Sequence, residues 1–324
     1  MDIKQAFSLV KKDLEKVERS FRKYTLSEVS LATRISNYVL SSGGKRIRPS
    51  LFLLITKMCG YSKAEMYPVA CAIELLHTAT LLHDDVVDSA TLRRGSKSAN
   101  AVWGNKASVL VGDFVHAQVF NILVATKNQE ILDLFTKTTV DLVNGEIFQL
   151  LKEKDTSMTQ DEYFYIIKNK TAGLMSTGAA AAGILAERDQ REIKALKSFG
   201  MNLGMAFQII DDALDYVADE KDLGKSVLAD FNEGKFTLPI IHILDNGTVM
   251  DKSYLKKVLK NEKHTQKDIA LVLTLIEKYD SINYVRDIGE KYISKAIKQL
   301  KIFPETKEKE ALIAIADHII NRNH

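Results

Sequence analysis

The chain of 324 residues, 46% of them hydrophobic, is long enough to bury one large core or two smaller ones. Its 45 Lys and Arg residues nearly balance its 42 Asp and Glu residues, so the net charge of +3 gives no indication of a nucleic-acid partner. The two cysteines, Cys59 and Cys71, form neither a metal-ligand pattern nor a disulfide framework, which is typical of a protein in a reducing cytoplasm.

The beginning of the chain does not read as a targeting segment. Charged residues interrupt its apolar positions, so we expect neither a signal peptide nor a membrane anchor there. The uncharged stretch 171–186 is shorter than the ~20 residues that a spanning helix needs, and its many Ala and Gly residues suit close helix–helix packing instead. We therefore expect a cytoplasmic protein without a membrane anchor.

The spacing of apolar residues predicts helices. They recur at steps of three and four, as in Leu75, Ala79 and Leu82, and no proline interrupts the chain between Pro68 and Pro239. Glycines are expected to separate the helices, at Gly60, Gly95, Gly104 and Gly200. The prediction is an all-α single domain, 1–324, of ten or more helices.

A glycine pair followed by cations is the first segment with chemical character. SGGKRIRP (42–49) places Lys45, Arg46 and Arg48 after Gly43 and Gly44. Glycine lets the backbone approach a ligand closely, and the arginine guanidinium makes forked bonds to phosphate oxygens. The segment therefore indicates a phosphate-binding loop.

Three carboxylates end an apolar helix predicted over residues 69–88. Asp84 and Asp88 are four residues apart and His77 precedes Asp84 by seven, so these three side chains share one stripe of the helix. Asp85 is the third carboxylate. Because like charges at this spacing destabilise an isolated helix, the group either faces water or holds a cation.

The same pattern occurs again in FQIIDDALD (207–215). Asp211, Asp212 and Asp215 again end an apolar helical run. Two such helix ends facing each other would surround a gap with carboxylates, and ligand sets made only of oxygen select hard cations. Mg²⁺ typically bridges protein carboxylates to substrate phosphates. The sequence has neither an EF-hand loop nor a His/Cys set typical of zinc.

If magnesium bridges to phosphate, further cations are expected, and the chain has them: two follow the first aspartate group, one opens the Ala-rich stretch, and two follow glycine. They are Arg93, Arg94, Lys170, Lys225 and Lys235. No GxxxxGK[ST] loop is present, which disfavours a nucleotide triphosphatase. Two acidic groups with several such cations favour a metal enzyme that handles diphosphates.

Taken in order, these motifs resemble those of the trans-type polyprenyl diphosphate synthases. They are GGKRIRP (43–49), HTATLLHDDVVD (77–88), RRG (93–95), KT (170–171), FQIIDDALD (207–215) and GK…EGK…TLP (224–239). The resemblance covers about residues 40–240 and is strongest to the long-chain, octaprenyl type. It implies helices around a central cavity, a homodimer, and Mg²⁺ as the cofactor. The implied reaction joins isopentenyl diphosphate head-to-tail to an allylic diphosphate, making a long-chain polyprenyl diphosphate for a quinone side chain.

The resemblance also implies the role of each residue. Mg²⁺ would be held by Asp84, Asp85, Asp88, Asp211, Asp212 and Asp215, with Asp84 and Asp88 as the direct ligands of the first group. The allylic diphosphate would be contacted by Arg93, Lys170 and Lys235, and Lys225 would close over it. The diphosphate of isopentenyl diphosphate would be bound by Lys45, Arg48, His77 and Arg94. Thr171 and Gln208 would present oxygens near the reacting carbons.

Two small residues before the first aspartate are expected to set the product length. In the family, bulky aromatic side chains at the positions of Ala79 and Thr80 stop the growing tail early, so the small residues here favour a long product. A shorter-chain farnesyl or geranylgeranyl diphosphate synthase is the nearest alternative. A class I terpene cyclase would leave GGKRIRP and RRG without a role, a squalene-synthase-like enzyme would need DxxED motifs, and an inactive partner subunit typically lacks one aspartate motif.

Overall fold

The computed structural model of the chain describes residues 1–217, 228–261 and 264–321. Its regular structure is almost entirely helical, and the all-α prediction with ten or more helices is confirmed. The helices are α1 (Ile3–Ser8), α2 (Lys11–Tyr24), α3 (Ser30–Ser41), α4 (Ile47–Met58), α5 (Met66–Val87), α6 (Ala99–Trp103), α7 (Asn105–Ala125), α8 (Gln129–Lys152), α9 (Gln160–Ile167), α10 (Gly173–Leu185), α11 (Gln190–Leu214), α12 (Ala229–Asn232), α13 (Leu238–Asn246), α14 (Val249–Leu259), α15 (Gln266–Lys278), α16 (Ser281–Gln299) and α17 (Lys307–Ile320).

Short segments of other geometry complete the fold. A π-helical turn, Lys168–Ala172, lies between α9 and α10, and a 3₁₀ turn, Leu300–Ile302, follows α16. Two antiparallel strands, β1 (Leu92–Arg93) and β2 (Ser96–Lys97), form a small hairpin with Arg93 opposite Ser96.

The chain divides into two compact units. The first contains Met1–Thr138, Leu174–Gly200 and Ile297–Ile315, and the second contains the described residues of Thr139–Gly173, Met201–Ala296 and Ala316–His324. The expectation of a single domain stays a prediction.

Helix α5 is the central helix of the first unit. Its sequence has no internal glycine, and its one proline, Pro68, lies in the first turn, where a missing N–H costs little. It packs against α2, α4 and α7, and most of its side chains are buried. It ends at Val87, and Asp88 caps it: the Asp88 N–H donates to the Asp84 carbonyl oxygen at 2.8 Å, and Ser89 follows with a positive φ of 51°. The predicted helix with Asp84 and Asp88 on one stripe is therefore confirmed.

Glycine has two different roles in this fold. Gly60, Gly95 and Gly104 have positive φ angles of 79°, 76° and 83° outside helices, as predicted for residues that separate helices. The prediction is wrong for Gly200, which lies inside α11. A Cβ there would lie 2.5 Å from the carbonyl oxygen of Met175, so glycine is required by the close approach of α10 and not by a helix end.

The Ala-rich helix α10 confirms the prediction of close packing by small residues. Nearly all of its side chains are buried. A Cβ on Gly183 would lie 2.8 Å from the Leu196 side chain, and the Ser176 hydroxyl donates to the Lys197 carbonyl at 2.8 Å.

Within the described residues, one helix is long and apolar enough to cross a bilayer when only length and composition are considered. It is α7, with a mean hydropathy of 1.5 and 39% of its window buried. Core helices of proteins that do not cross membranes meet the same criteria, and α7 packs along α5.

Candidate active site

In the first unit, the loop before α4 is held in place by Arg46, whose side chain is 14% exposed. Arg46 has the left-handed backbone angles φ 48° and ψ 37°. Its guanidinium donates to Glu74 Oε1 at 2.9 Å and to the Leu40 carbonyl at 2.5 Å, and it lies 5.4 Å from the ring centroid of Phe21. Arg46 thereby connects the end of the loop to α2, α3 and α5. Of the two residues predicted to bind diphosphate here, Lys45 is exposed and Arg48 is half-buried.

His77 lies among four arginines. Burial lowers its pKa well below the ordinary value, and the positive charges of Arg48, Arg94, Arg93 and Arg46 lower it further. The imidazole is therefore neutral at neutral pH and interacts with a ligand as a hydrogen-bonding group. The structure thus brings His77 together with Arg48 and Arg94, as expected for one diphosphate site.

The hairpin that carries the two arginines was not predicted from the sequence. Arg94 and Gly95 form its two-residue turn, with φ angles of 51° and 76°, as in a type I′ turn. The Arg94 guanidinium donates to the Gly43 carbonyl of the glycine pair. The hydroxyl of Tyr38 donates to the Lys97 carbonyl at 2.7 Å and holds the second strand. A residue followed by glycine between two short extended segments was the signal that could have revealed this hairpin.

The first aspartate group divides into two kinds of carboxylate. Asp85 is 2% exposed and accepts from Arg93 Nε at 2.5 Å. Burial raises the pKa of Asp85, and the neighbouring Arg93 opposes that rise. Asp84 and Asp88 are half-buried at the C-terminal end of α5, where the helix dipole also favours a cation. Asp85 binds Arg93 in this structure, and the direct ligation of the metal by Asp84 and Asp88 stays a prediction.

Five of the predicted residues line one cavity of about 140 Å³ in the second unit. They are Lys170, Thr171, Gln208, Asp212 and Lys235. Tyr163 and Asp230, which the sequence analysis did not single out, also line it.

A chain of hydrogen bonds fixes the polar wall of this cavity. The Thr171 hydroxyl donates to Gln208 Oε1 at 2.8 Å, and Gln208 Nε2 donates to Asp212 Oδ1 at 2.7 Å. The buried Tyr163 hydroxyl donates to the other carboxylate oxygen, Oδ2 of Asp212, at 2.6 Å. The side chains of Thr171 and Gln208 are therefore held in fixed orientations, as a preorganised site requires.

The second aspartate group is strongly buried. Burial raises the pKa of Asp212 well above its ordinary value, and the nearby charge of Asp230 raises it further. Asp215 is fully buried, and its Oδ2 accepts from the Asp230 backbone N–H at 3.1 Å. Asp211 is half-buried. Crowded carboxylates of this kind repel one another, so a bound cation would stabilise them.

The two lysines that were predicted for this site and line the cavity come from different elements. Lys170 lies in the π-helical turn, a geometry that is frequent at functional sites. Its ammonium donates to Glu146 at 2.7 Å and to Gln149 at 2.8 Å. Lys235 forms an ion pair with Glu233 at 3.0 Å. Lys225 lies outside the described residues, so its predicted role stays a prediction.

The donor set fits a hard divalent cation. Among the residues that the structure describes, no three His, Cys, Asp or Glu side chains form a ready-made metal cage. Mg²⁺ does not require one, because it usually keeps several waters and takes only one or two carboxylates together with substrate phosphates. Both aspartate groups offer oxygen donors only, which suits that ion.

Sequence reasoning missed three residues that shape these sites, Glu74, Tyr163 and Asp230, and it grouped Arg46 with the phosphate-binding cations although this side chain holds the loop. Glu74 was recognisable as the single charge within the apolar run CAIELL, and its partner Arg46 only as one more cation beside Lys45. Tyr163 and Asp230 had no recognisable signal, because their role depends on tertiary contact with Asp212 and Asp215.

Comparison with known proteins agrees with this arrangement. Residues 29–276 match the Polyprenyl synthetase family. The octaprenyl diphosphate synthase of Escherichia coli (strain K12) is 37% identical over 325 residues, covering 100% of both chains. A decaprenyl diphosphate synthase from Rhodobacter capsulatus is similar in structure, with a TM-score of 0.94, 31% identity and 99% of each chain covered. So is a polyprenyl synthase from Caulobacter crescentus CB15 complexed with calcium and isoprenyl diphosphate, with a TM-score of 0.93, 33% identity, and 100% of this chain and 98% of that chain covered.

Proposed function

This chain belongs to the polyprenyl synthetase family and is a prenyltransferase that makes trans-prenyl diphosphates, and we propose that its product is a long, octaprenyl-like chain for a quinone side chain. The observation that carries the proposal is the pair of small residues one helical turn before Asp84. Ala79 is buried, and Thr80 is half-buried with its hydroxyl donating to the His77 carbonyl at 2.8 Å. Neither side chain is large enough to act as the aromatic stop that the family uses for short products.

The residues of the first unit are suited to bind isopentenyl diphosphate. Lys45, Arg48 and Arg94 supply positive charge, and neutral His77 supplies a hydrogen bond. Arg46 holds the loop, so the backbone that carries Lys45 does not have to be ordered when the ligand binds.

The residues of the second unit are suited to the allylic diphosphate. Lys170 and Lys235 line the cavity and would stabilise negative charge as the C–O bond breaks and diphosphate leaves. Thr171 and Gln208, held by their mutual hydrogen bond, orient oxygens toward the same cavity. Its apolar wall includes Met158 and Ile166, which help to exclude the water that would quench an allylic cation.

Mg²⁺ is the cofactor that we propose. The aspartates predicted to hold it are Asp84, Asp85 and Asp88 in the first unit and Asp211, Asp212 and Asp215 in the second, with Asp84 and Asp88 as the direct ligands of the first group. When bound, Mg²⁺ would neutralise the charge of the departing diphosphate. The new C–C bond forms when the double bond of isopentenyl diphosphate attacks the allylic carbon, and a proton is then lost. The released diphosphate is our candidate for the base.

The test is an incubation with labelled isopentenyl diphosphate and farnesyl diphosphate, with and without Mg²⁺, followed by chromatography of the products by length. Long polyprenyl diphosphates formed only with the metal would support the proposal. Products that stop at the farnesyl or geranylgeranyl length would assign the chain to the shorter-chain synthases. A folded sample that incorporates no label would contradict the reaction itself.

We also propose a cytoplasmic homodimer. Helix α8 has an apolar stripe whose members are all at least half exposed: Val140, Val143, Ile147, Leu150 and Leu151. Their spacing of three and four residues places them on one face, and such a face is usually covered by another surface. Light scattering should give twice the mass of one chain for the wild type. The double variant Ile147→Glu/Leu150→Glu should have the mass of a single chain. A monomeric wild type would contradict the proposal.

A further inference from the structure

Helix α14 presents an exposed face that is apolar at its beginning and basic at its end. Val249, Met250 and Tyr254 are 88%, 66% and 54% exposed. Lys256, Lys257 and Lys260 follow on the same exposed side. They line a concavity of about 560 Å³ together with Val249, Lys252 and Ser253. Single exposed apolar residues are common, but Val249, Met250 and Tyr254 lie close together on one helix, and a contiguous apolar patch is typical of an interaction site.

The exposure is built into the fold and does not come from a frayed end. The opposite face of α14 is buried through Leu255, Val258 and Leu259, which belong to an apolar cluster of the second unit. Thr248 caps the helix and accepts from the Asp251 N–H at 3.2 Å. The Thr248 N–H donates to the Tyr279 hydroxyl at 2.9 Å. The first turn is therefore held in place with Val249 and Met250 pointing outward.

The charged residues that α14 itself contributes to this face are all positive. The only carboxylate of α14 is Asp251, and it is buried. Asp251 accepts from Lys278 Nζ at 2.7 Å and from the Tyr279 hydroxyl at 2.5 Å, so its charge is neutralised internally. The lysines of the face thus have no acid beside them within the helix.

We propose that this face of α14 docks on the surface of an anionic lipid bilayer. Apolar side chains at one end and lysines at the other allow the helix to tilt, with Val249 and Met250 below the phosphate layer and the lysines at the headgroups. Tyr254, between them, is a residue type that favours the membrane–water interface. A protein partner would need apolar and acidic patches at the same spacing, whereas an anionic bilayer offers both along its whole surface. The inference goes beyond the prenyl-transfer reaction and does not depend on the product length.

The experiment is co-sedimentation of the full chain with vesicles of phosphatidylcholine alone or mixed with phosphatidylglycerol. Binding is expected only to the mixed vesicles and should weaken as the ionic strength rises from about 0.05 M to about 0.5 M. Exchanging Lys256, Lys257 and Lys260 for Glu should lower the partition coefficient by roughly a hundredfold, since each lysine near such a surface contributes to binding. Exchanging Val249, Met250 and Tyr254 for Ser should lower it by roughly tenfold or more even at low salt.

Matched variants separate this surface from general charge and from misfolding. Exchange of the exposed Lys4, Lys11 and Lys12 for Glu removes equal charge elsewhere and should leave binding within about twofold of the wild type. The Lys→Arg triple variant of α14 should bind like the wild type. All variants should keep their solution activity, because none of these residues belongs to the sites described above.

Four outcomes would overturn the proposal. The wild type fails to bind anionic vesicles, or the α14 lysine variant binds as well as the wild type, or both lysine variants lose binding equally. If the face instead contacts a second copy, the α14 variants would lower the molar mass in solution and leave vesicle binding unchanged, which also overturns it.

Discussion

Replacing Glu74 with Gln should loosen the loop 42–46, because it removes the nearer counter-charge of the Arg46 guanidinium and leaves only the exposed Glu18, whose Oε1 lies 3.9 Å from Arg46 Nε. Arg46 and Glu74 are 2.9 Å apart, and their side chains are only 14% and 6% exposed. Arg46 also donates to the Leu40 carbonyl, so its side chain connects the loop to both α3 and α5. Gln keeps the size of Glu and one acceptor oxygen, so the variant tests the charge and not the shape.

The magnitude follows from the burial of the pair. Removing one partner of a buried ion pair typically costs about 3–5 kcal/mol, and we expect about 3 kcal/mol because an amide oxygen remains as an acceptor. Lys45 lies in this loop and Arg48 lies directly after it in the first turn of α4, so the KM for isopentenyl diphosphate should rise about tenfold, which corresponds to about 1.4 kcal/mol of lost preorganisation. The KM for the allylic substrate should not change.

Urea unfolding and steady-state kinetics with each substrate varied in turn measure the two effects. Asp13→Asn is the matched control. It breaks another partly buried pair of the first unit, Lys57–Asp13 at 3.0 Å, and should lower stability without changing either KM. The double variant Arg46→Met/Glu74→Leu removes both charges, so it should regain most of the stability while the KM for isopentenyl diphosphate stays high.

Either of two results would refute this reasoning. Glu74→Gln could unfold within about 0.5 kcal/mol of the wild type, which would show that the pair does not stabilise the fold. Both KM values could rise by the same factor, which would show general damage instead of a loosened loop.

Three further changes have defined outcomes. Ala79→Tyr or Thr80→Phe should shorten the product, and chromatography showing unchanged length in both variants would exclude a tunnel beside these residues. Tyr163→Phe removes the hydroxyl that donates to the buried Asp212, so we expect a loss of about 1–3 kcal/mol in urea unfolding together with lower kcat, and unchanged unfolding would argue against a stabilising bond. The pKa of Asp251 is lowered to about 2 by hydrogen bonds from the Lys278 ammonium and from two hydroxyls, so its stabilising effect is present above the ordinary value of 3.8 and is lost as the pH falls through about 2. The Tm of the wild type should therefore exceed that of Asp251→Asn at pH 6, and the difference should shrink at acid pH; a difference that persists at pH 2 would refute this assignment.

The helices and the aspartate stripe could be predicted because they depend on local sequence. A long span without proline and an apolar repeat of three and four residues are enough to specify α5, and the position of Asp84 and Asp88 on it follows from helix geometry alone. The presence of Lys170, Thr171 and Gln208 in one cavity was anticipated only from the order of motifs, since residues this far apart in the chain share no local signal.

What could not be predicted depends on tertiary contact. Gly200 has the same appearance in the sequence as the glycines that separate helices, and only the approach of Met175 shows why it lies inside one. Arg46 resembles its neighbours in GGKRIRP until its bond to Glu74 is seen. A cation that binds a substrate and a cation that holds a loop are the same residue type, and burial distinguishes them.

The contact between Tyr38 and Trp103 gives the protein an internal optical probe. Trp103 is the only tryptophan of the chain, and its ring meets that of Tyr38 edge-on at 5.0 Å. The hydroxyl of the same Tyr38 holds the strand that follows Arg94. Any movement of the hairpin when a diphosphate binds is therefore transmitted through one side chain to the indole. We therefore expect the fluorescence of Trp103 to change when diphosphate binds beside the hairpin, and a stopped-flow mixing experiment would measure that change without an attached dye.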